Sequence, residues 1–300
     1  MKTEIKKALL NKYFICVCIY GTLLSLLHCY QKITAYNSAL KSLIHYNSTS
    51  VIQSNPYAPI TNVFTVWIGF DTANTLAKIF FLTFPLAAAI PYCWSYCSDR
   101  KSGYADKAIY EVGKYNYHLN KYIAVFISSG LTIVIPLLVN FLIMLLFVPA
   151  ICPDSVYDIY YGIFSNNFMA EIFYGMPILY VGIFILLNFV FCGLFGCFGY
   201  AVSTIIKSRI IAIISPLSVL LLIEYIKDSI VKNNPLNNTE FSPLSFLCPA
   251  KSFTSNRLII ITEIIVLFLF TFSVSVFRFK RSNKKEAYNV YHDQRYFYET

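Results

Sequence analysis

The sequence predicts an all-α membrane protein, and its composition and the length of its apolar runs carry this prediction. Of the 300 residues, 57% are hydrophobic and only 13% are charged, whereas an average soluble domain has about 25% charged residues. The apolar residues form long uninterrupted blocks, and about 20 such residues in a helix cross a bilayer core of about 30 Å. A helix also satisfies its own backbone hydrogen bonds, which lipid cannot do. We therefore expect a single transmembrane domain over residues 1–300.

Six apolar blocks are long enough to be predicted as membrane spans. They lie near residues 13–29, 75–97, 122–148, 174–206, 210–226 and 257–277. The fourth block exceeds the length of one crossing, so we expect its last turns to tilt or to leave the membrane. The fifth block is short and contains Pro216 and Glu224. The segments that separate these spans on the outer side are loops 31–74, 149–173 and 227–256, and a tail follows at 278–300.

The distribution of basic residues predicts the orientation of the spans. Most of the 24 Lys and Arg residues precede the first span, lie between the second and third, follow the fourth or lie in the tail. Cytoplasmic loops of membrane proteins carry the excess of Lys and Arg, so we expect both termini in the cytoplasm. The formal net charge of +9 then reflects orientation in a lipid bilayer, and no nucleic-acid partner is expected.

Two of the predicted outer loops have distinct compositions. Loop 31–74 is rich in Asn, Ser, Thr and aromatic residues, so it is either a small folded cap or a polar connector on the lipid headgroups. Loop 227–256 has Pro235, Pro243 and Pro249 around apolar patches. This pattern favours a short re-entrant element, which the spans must shield from lipid.

The cysteines and histidines have no metal-ligand spacing. Most of the nine cysteines lie in predicted spans or at their ends, where they pack as small apolar residues. Cys152 and Cys248 lie in predicted outer loops, which is compatible with one disulfide between them. The four histidines lie in unrelated segments, so no metal site is expected.

An amphipathic helix is predicted in the cytoplasmic segment between the second and third spans. At helical spacing, one face carries Tyr104, Ala108, Val112 and Tyr115, with Ala105 and Ile109 beside them. The opposite face carries Asp106, Lys107, Glu111 and Lys114. Such a helix either lies on the lipid surface or docks into a partner protein. The mixed charges favour docking over a purely basic lipid contact.

Four ionisable residues are predicted at membrane depth, in the outer half of the bundle. They are Lys78, Glu224, Arg257 and Glu263. Each costs at least about 2.5–3.5 kcal/mol to insert, so each needs a partner or water. We expect them to form one outer charged cluster, which is either a gate that contacts a cationic substrate or a set of interhelical ion pairs such as Lys78 with Glu263.

The sequence contains no known catalytic motif of the common classes. It has no GxxxxGK[ST] phosphate-binding loop, no HExxH and no GxSxG. We therefore expect no enzyme activity and no bound cofactor within this chain.

Four short runs carry a resemblance to a known family. They are FPLAAAIPY at 84–92, SYCSDRKSGY at 95–104, NKYIA at 120–124 and IPLL at 135–138. Over residues 80–149 the chain resembles the permease subunits of type-two ABC exporters, particularly those of low-GC Gram-positive bacteria. The rest of the chain is similar to that family in layout only.

The resemblance implies a transport subunit in the bacterial cytoplasmic membrane that uses a separate ATPase. The coupling helix would dock into the ABC ATPase subunit, which would bind ATP and Mg, and a second permease copy would complete a homodimer or heterodimer. The residues implied in coupling are Asp99, Arg100, Gly103, Tyr104, Ala108, Ile109, Val112 and Tyr115. Asp99 and Gly103 match the acidic-Gly pair of the family only loosely, and the cargo is an unspecified peptide, drug, lipid or glycan.

Two other classes remain open from the residues alone. An ion-gradient-driven secondary transporter would be built around Glu224 and Glu263, although the two halves show no convincing internal repeat of the kind such carriers have. A membrane sensor or assembly protein that transports nothing would use the outer loop 31–74 and the tail 278–300.

Overall fold

The computed structural model describes residues 1–49, 61–71, 73–206, 208–233, 241–248 and 257–277. These residues form helices and turns, with no strand among them. Five helical stretches in this part of the chain are long and apolar enough to cross a membrane, and they are Lys12–His45, Lys114–Phe147, Pro177–Ile205, Arg209–Ser229 and Arg257–Val276. The predicted all-helical class is therefore confirmed, and the chain has the features of a multi-pass membrane protein.

Thirteen α-helices lie in the described part of the chain. They are α1 (Lys2–Leu9), α2 (Lys12–Thr49), α3 (Val63–Val66), α4 (Thr75–Ala89), α5 (Ser95–Lys101), α6 (Tyr104–Val112), α7 (Lys114–Phe147), α8 (Asp158–Tyr161), α9 (Ala170–Gly175), α10 (Pro177–Ile205), α11 (Arg209–Asn233), α12 (Pro243–Phe246) and α13 (Arg257–Phe272). A 3₁₀ turn (Ser155–Tyr157) precedes α8, and a π-helical turn (Ser273–Phe277) extends α13.

The first long helix extends well beyond the predicted first span. With 38 residues, α2 is about 57 Å long at about 1.5 Å per residue, which exceeds a bilayer core. Residues 31–49 of the predicted outer loop are therefore helical. Part of that loop, 50–60, lies outside the described residues, and α3 forms near its end because the Asn62 side chain accepts a hydrogen bond from the backbone N–H of Thr65.

The predicted second span at 75–97 is not one continuous helix. α4 begins after Asn74, whose side chain accepts from the backbone N–H of Leu76, and it ends after only 15 residues at Ala89. Pro91 follows, and a proline has no N–H to continue the helical hydrogen-bond ladder. The chain turns through 90–94 and starts again as α5, so α4 alone is shorter than an ordinary membrane-spanning helix.

The later helices also differ from their predicted bounds. α7 starts at Lys114, inside the segment predicted as the amphipathic helix and ahead of the predicted span start at 122, and α11 runs on to Asn233. The predicted start of the fourth span at 174 is divided, because α9 ends at Gly175 and Pro177 occupies the first turn of α10, a position that suits its missing N–H. Inside the predicted re-entrant loop, residues 234–240 and 249–256 lie outside the described residues, and the described part contains the short buried helix α12.

α10 is the central helix of the bundle and packs against α4, α7, α11 and α13. It packs tightly against α7 at Gly196, where an added Cβ would lie 2.0 Å from Ser129 Oγ and 3.2 Å from the backbone oxygen of Ala88. A glycine without a side chain lets helices approach closely. This contact fixes the spacing of α4, α7 and α10, and thereby the positions of the residues that these helices present at their ends.

Buried side chains divide between two clusters. The cluster at one end, called here the α1 end, includes Ala8, Tyr92, Tyr117, Tyr200 and Val276. The larger cluster includes Phe64, Trp67, Phe173 and Phe246 and reaches the opposite end, called here the α3 end. α4 connects the two, since Ala77 belongs to the larger cluster and Ala89 to the smaller one.

Candidate functional site

Two glycines position α6 at the α1 end. Gly103 lies between α5 and α6 with φ of 72°, and Gly113 lies between α6 and α7 with φ of 85° and ψ of 146°. Residues other than glycine rarely adopt these backbone conformations. The two turns let a helix of 9 residues fold back against the bundle, where the sequence predicted the cytoplasmic amphipathic helix.

A buried lysine joins three elements beside α6. The Lys121 side chain on α7 is 1% exposed, and its Nζ lies 2.8 Å from Asp99 Oδ2 of α5 and 3.5 Å from Glu4 Oε2 of α1. Neither contact has hydrogen-bond geometry, so the attraction is mainly Coulombic. We call Glu4, Lys7, Asp99 and Lys121 the Lys121 cluster.

Two tyrosines complete the surroundings of this charge. Tyr117 donates a hydrogen bond to Asp99 Oδ2 at 2.8 Å, and Tyr92 donates to Glu4 Oε2 at 2.8 Å. The Lys121 ammonium also lies 5.0 Å from the centre of the Tyr92 ring and 5.4 Å from that of Tyr117, close enough for cation–π attraction. The hydroxyls and rings partly replace the water that these charges lose on burial.

The protonation of Glu4 follows from this arrangement. Burial raises the pKa of Glu4, but the charge of Lys121 and the hydrogen bonds from Tyr92 and Lys7 outweigh it and lower the pKa overall. In its contact with Glu4 the Tyr92 phenol is the hydrogen-bond donor. The cluster therefore holds the Glu4 carboxylate in its ionised form beside the buried Lys121 side chain.

Lys7 connects the cluster to α6. Its Nζ donates to Glu4 Oε1 at 3.1 Å and to the Tyr104 hydroxyl at 3.0 Å, and it lies 4.5 Å from the centre of the Tyr104 ring. Although partial burial alone would lower it, these contacts raise the pKa of Lys7. One continuous set of polar contacts thus joins α1, α5, α6 and α7. A displacement of α6 would therefore change the contacts of α7.

The two faces of α6 have different surroundings. Ala105 is buried and Ala108 and Ile109 are partly buried against the smaller cluster, so these side chains pack within the chain. Tyr110, by contrast, is 93% exposed, and Tyr104 and Val112 are also exposed. The surface that α6 offers to another molecule is therefore formed by Tyr110 with neighbouring exposed residues, and only partly by the predicted coupling residues.

The remaining predicted coupling residues lie around the cluster. Asp99 belongs to it, Arg100 is exposed at the end of α5, and Gly103 forms the turn described above. Tyr115 lies in the first turn of α7, partly buried against the smaller cluster. The structure brings the predicted segment together with α1, which the sequence did not connect to it.

The four predicted outer charges do not pair with one another. Among the described residues, no ion pair joins any two of Lys78, Glu224, Arg257 and Glu263, and the predicted Lys78–Glu263 pair is absent. Glu224 instead lies 3.3 Å from Lys227, one turn along α11, and accepts a hydrogen bond from Ser242. The interpretation of an ion-paired outer cluster was wrong, because the contacts of the Glu224 carboxylate are with Lys227 on the same helix and with Ser242 of the adjoining loop.

Lys78, Arg257 and Glu263 occupy separate positions. Lys78 is exposed and lines a cavity with Asp71, Phe81 and Leu244, whereas Arg257 is exposed at the start of α13. Within the described chain, Glu263 Oε2 has no hydrogen-bond partner. These positions give no common site for a cationic substrate in this structure.

A polar network at the α3 end was not predicted. His28 Nε2 lies 3.0 Å from Asp71 Oδ2, and Lys32 Nζ lies 2.6 Å from the same oxygen. Asn140 Oδ1 accepts from the backbone N–H of Ile68 at 2.8 Å, while its Nδ2 donates to the Ser25 carbonyl at 3.0 Å. Burial raises the pKa of Asp71, but hydrogen bonds from His28 and Lys32 lower it to about 2. His28 and Asn140, two polar residues inside apolar blocks, were the sequence signals for it.

Metal and thiol chemistry find no support in the described part of the chain. No group of three or more His, Cys, Asp or Glu residues there is placed to hold a metal ion. No disulfide joins Cys152 to Cys248, and the Cys152 thiol donates to the Tyr174 carbonyl oxygen at 3.3 Å, so the disulfide considered from the sequence is not formed. The Lys121 cluster connects α1, α5 and α7 through electrostatic contacts.

The chain matches no protein-family model, no curated protein and no solved structure.

Proposed function

We propose that this chain is the membrane-spanning permease subunit of an ATP-driven ABC exporter in the bacterial cytoplasmic membrane. In this proposal α6 is the coupling helix, a separate subunit binds ATP and Mg, and a second permease copy completes the transporter. Both termini are cytoplasmic, and α4 with the following turn provides the sixth crossing. The cargo is a peptide, drug, lipid or glycan.

The observation that carries the proposal is the surface of α6. A short amphipathic helix at one end of an apolar bundle exposes Tyr110, and large exposed aromatic side chains are favoured anchors in protein interfaces. The charged residues around it have both signs, since Asp106, Lys107 and Glu111 are all exposed. A surface of this kind suits a protein partner better than an anionic lipid headgroup.

The Lys121 cluster supports a coupling role for this surface. A partner that pulls on α6 moves Tyr104, which Lys7 connects to Glu4, and Glu4 and Asp99 both face Lys121 on α7. α7 spans the bundle and packs along α10. Packed interfaces tend to move as units between discrete arrangements, so work done on α6 would change the α7–α10 contact.

Photo-crosslinking from two exposed tyrosines tests the docking surface. A benzophenone amino acid replaces Tyr110 on α6 or, as the matched control, Tyr160 on α8, which is 85% exposed. The proposal requires that the Tyr110 position crosslinks to a protein with an ATP-binding cassette sequence, and that the Tyr160 position does not. Crosslinking of such an ATPase from neither position, or equally from both, would overturn the docking assignment.

Coupling is tested with the captured ATPase reconstituted beside this chain. Tyr110→Glu should lower the stimulation of ATPase activity by tenfold or more, because it places a charge at the centre of an apolar contact. Tyr160→Glu is expected to leave the stimulation unchanged. Equal activity of the Tyr110→Glu complex and the unchanged complex would refute coupling through α6.

The orientation is tested on intact cells. A thiol introduced by Tyr110→Cys should react with a membrane-impermeant maleimide only after the cells are lysed, whereas one introduced by Tyr160→Cys should react in intact cells. Labelling of the α6 thiol before lysis would place α6 outside and would exclude a cytosolic ATPase as its partner.

A second candidate function is an ion-gradient-driven transporter, and the buried His28–Asp71 pair favours it. Ionisable groups at membrane depth mark proton or ion pathways more often than not, and this pair replaces Glu224 and Glu263 as the candidate for such a role. Transport by vesicles that hold an ion gradient and no ATP, abolished by Asp71→Asn, would favour this function over the exporter.

A further inference from the structure

A cavity with two basic side chains lies at the α1 end, between α5 and the last turns of α10. Tyr96, Cys97, Arg100 and Lys101 of α5 and Ser203 of α10 line it, and its volume is about 260 Å³. We call it the Arg100 cavity. It is much larger than the about 30 Å³ that a water molecule occupies in the liquid, so it has room for a phosphate group and the atoms attached to it.

Among the described residues, no ion pair neutralises the positive charge of this cavity. In the described part of the chain, neither Arg100 nor Lys101 forms an ion pair. The adjacent acid, Asp99, is engaged by Lys121 and Tyr117. Two cations next to each other on a helix end repel one another, and a bound anion would relieve that repulsion.

A third cation is fixed beside the cavity. Arg209, the first residue of α11, donates from Nη2 to Ser98 Oγ at 3.1 Å, and its guanidinium carbon lies 5.0 Å from the centre of the Trp94 ring. Ser98 follows the cavity-lining Cys97 in α5, and Arg100 and Lys101 line the same cavity. The fields of three cations therefore converge on a side chain that lines the cavity.

Exposed apolar side chains follow the cavity-lining Ser203 along the chain. Ile205 and Ile206 follow Ser203 at the end of α10, and Ile210 and Ile211 lie in the first turn of α11, all of them exposed. A ligand whose charged group occupies the cavity would thus have an apolar surface beside it. That combination of a basic pocket and an adjoining apolar surface suits an amphiphile better than a small soluble anion.

We propose that the Arg100 cavity binds the phosphate group of an anionic phospholipid, with Arg100 and Lys101 contacting the phosphate oxygens and the isoleucines contacting an acyl chain. Arginine pairs with two phosphate oxygens at once through its planar fork, and lysine adds a point charge. Basic pockets at the cytoplasmic ends of membrane helices are a recognised setting for lipid headgroups. The site uses the cytoplasmic orientation of the α1 end proposed above, but it does not depend on the exporter activity.

Tryptophan fluorescence provides a local reporter for this site. The chain has two tryptophans, so Trp67→Phe leaves Trp94, beside Arg209, as the sole emitter. The full chain in detergent is titrated with phosphatidylglycerol or phosphatidylcholine that carries bromine on its acyl chains, which quenches a nearby indole. We expect phosphatidylglycerol to quench at a concentration at least about tenfold lower than phosphatidylcholine.

Two double variants distinguish lipid binding in the Arg100 cavity from non-specific attraction of an anionic lipid to the net charge of the protein. Arg100→Gln with Lys101→Gln should raise the half-quenching concentration of phosphatidylglycerol by about 20-fold or more, because each cation near an anionic headgroup contributes roughly fivefold. Lys2→Gln with Lys107→Gln removes the same net charge elsewhere and is expected to change it by less than threefold. If both pairs weaken binding equally, or neither does, the proposal is overturned.

Competition with inorganic phosphate distinguishes a phospholipid headgroup from a soluble phosphate compound as the ligand of the cavity. At about 10 mM, inorganic phosphate should displace little of the brominated phosphatidylglycerol, because it lacks the acyl contact. Full displacement that depends on Arg100 and Lys101 would assign the cavity to a soluble phosphate compound and would overturn the lipid assignment. Should the double variant not fold, as judged by its elution in size-exclusion chromatography, Arg100→Gln alone serves, with an expected rise of about fivefold.

Discussion

Lys121→Met should loosen α1 from the bundle. The substitution keeps the length and apolar stem of the side chain but removes the cation that lies 3.5 Å from Glu4 and 2.8 Å from Asp99. Glu4, whose side chain is 12% exposed, would keep Tyr92 and Lys7 as partners and lose its buried counter-charge. When α1 detaches from the bundle, Glu4 regains its hydration. The substitution should therefore stabilise the open form, with α1 detached, relative to the closed form, with α1 packed on the bundle.

The magnitude follows from the burial of the pair. Removing one partner of a buried ion pair costs about 3–5 kcal/mol. The longer distance to Glu4 and its remaining partners reduce the expected cost for α1 to about 2 kcal/mol, which corresponds to about 30-fold in the opening equilibrium.

Thiol labelling measures this opening directly. Ala8 on α1 is 0% exposed, so a thiol introduced by Ala8→Cys reacts only when α1 opens, and its rate follows the opening equilibrium when closing is fast. Peptide mass spectrometry distinguishes this thiol from the native cysteines. Labelling should be about 30-fold faster with Lys121→Met, while the control Lys107→Met, on the exposed face of α6, should leave the rate unchanged.

The same assay gives a pH dependence with a defined sign. The lowered pKa of Glu4 means that its contribution to α1 docking is present above the usual Glu pKa of about 4.3 and is lost as the pH falls through the lowered value. With Lys121→Met, one of the contacts that lower the pKa of Glu4 is lost while its burial remains, so a fall in pH should weaken docking less than it does in the unchanged protein. A labelling rate for Lys121→Met within threefold of the unchanged protein, or an equal change of the labelling rate with pH in both proteins, would refute the assigned role of Lys121.

Three further outcomes are expected. Gly196→Ala should lower the free energy of unfolding by about 1–3 kcal/mol, because its Cβ would lie 2.0 Å from Ser129 Oγ. The control Gly182→Ala on the same helix, whose Cβ would have no atom within 4 Å, should raise it by about 0.5–1 kcal/mol. Equal melting temperatures of the two variants in detergent would contradict the close packing at Gly196. Asn140→Leu should leave the buried N–H of Ile68 without its acceptor, at a cost of about 1–3 kcal/mol, seen as faster hydrogen exchange at residues 67–70 and not at α6. Asp71, with a pKa of about 2, should contribute about 2 kcal/mol above pH 4 that is lost as the pH falls toward 2; acid melting curves of Asp71→Asn should lack this slope.

The sequence by itself determined the helical class, the long apolar helices and the amphipathic segment between Gly103 and Gly113. These are local properties, since the length of an apolar run and the spacing of polar residues along it depend only on neighbours in the chain. The amphipathic segment was located on that basis, and its helix is α6. The break after Ala89 was also locally encoded by Pro91, although length alone led to the prediction of a continuous span.

Only the tertiary structure decided which charges meet. The sequence placed Lys121 in a cytoplasmic segment as one cation among many, yet packing buries it between Glu4 and Asp99. It also joined His28 to Asp71, and it left Glu224 with a neighbour on its own helix. A charge acts on whatever lies within a few ångströms in three dimensions, and that distance is set by how the helices pack, not by their order in the chain.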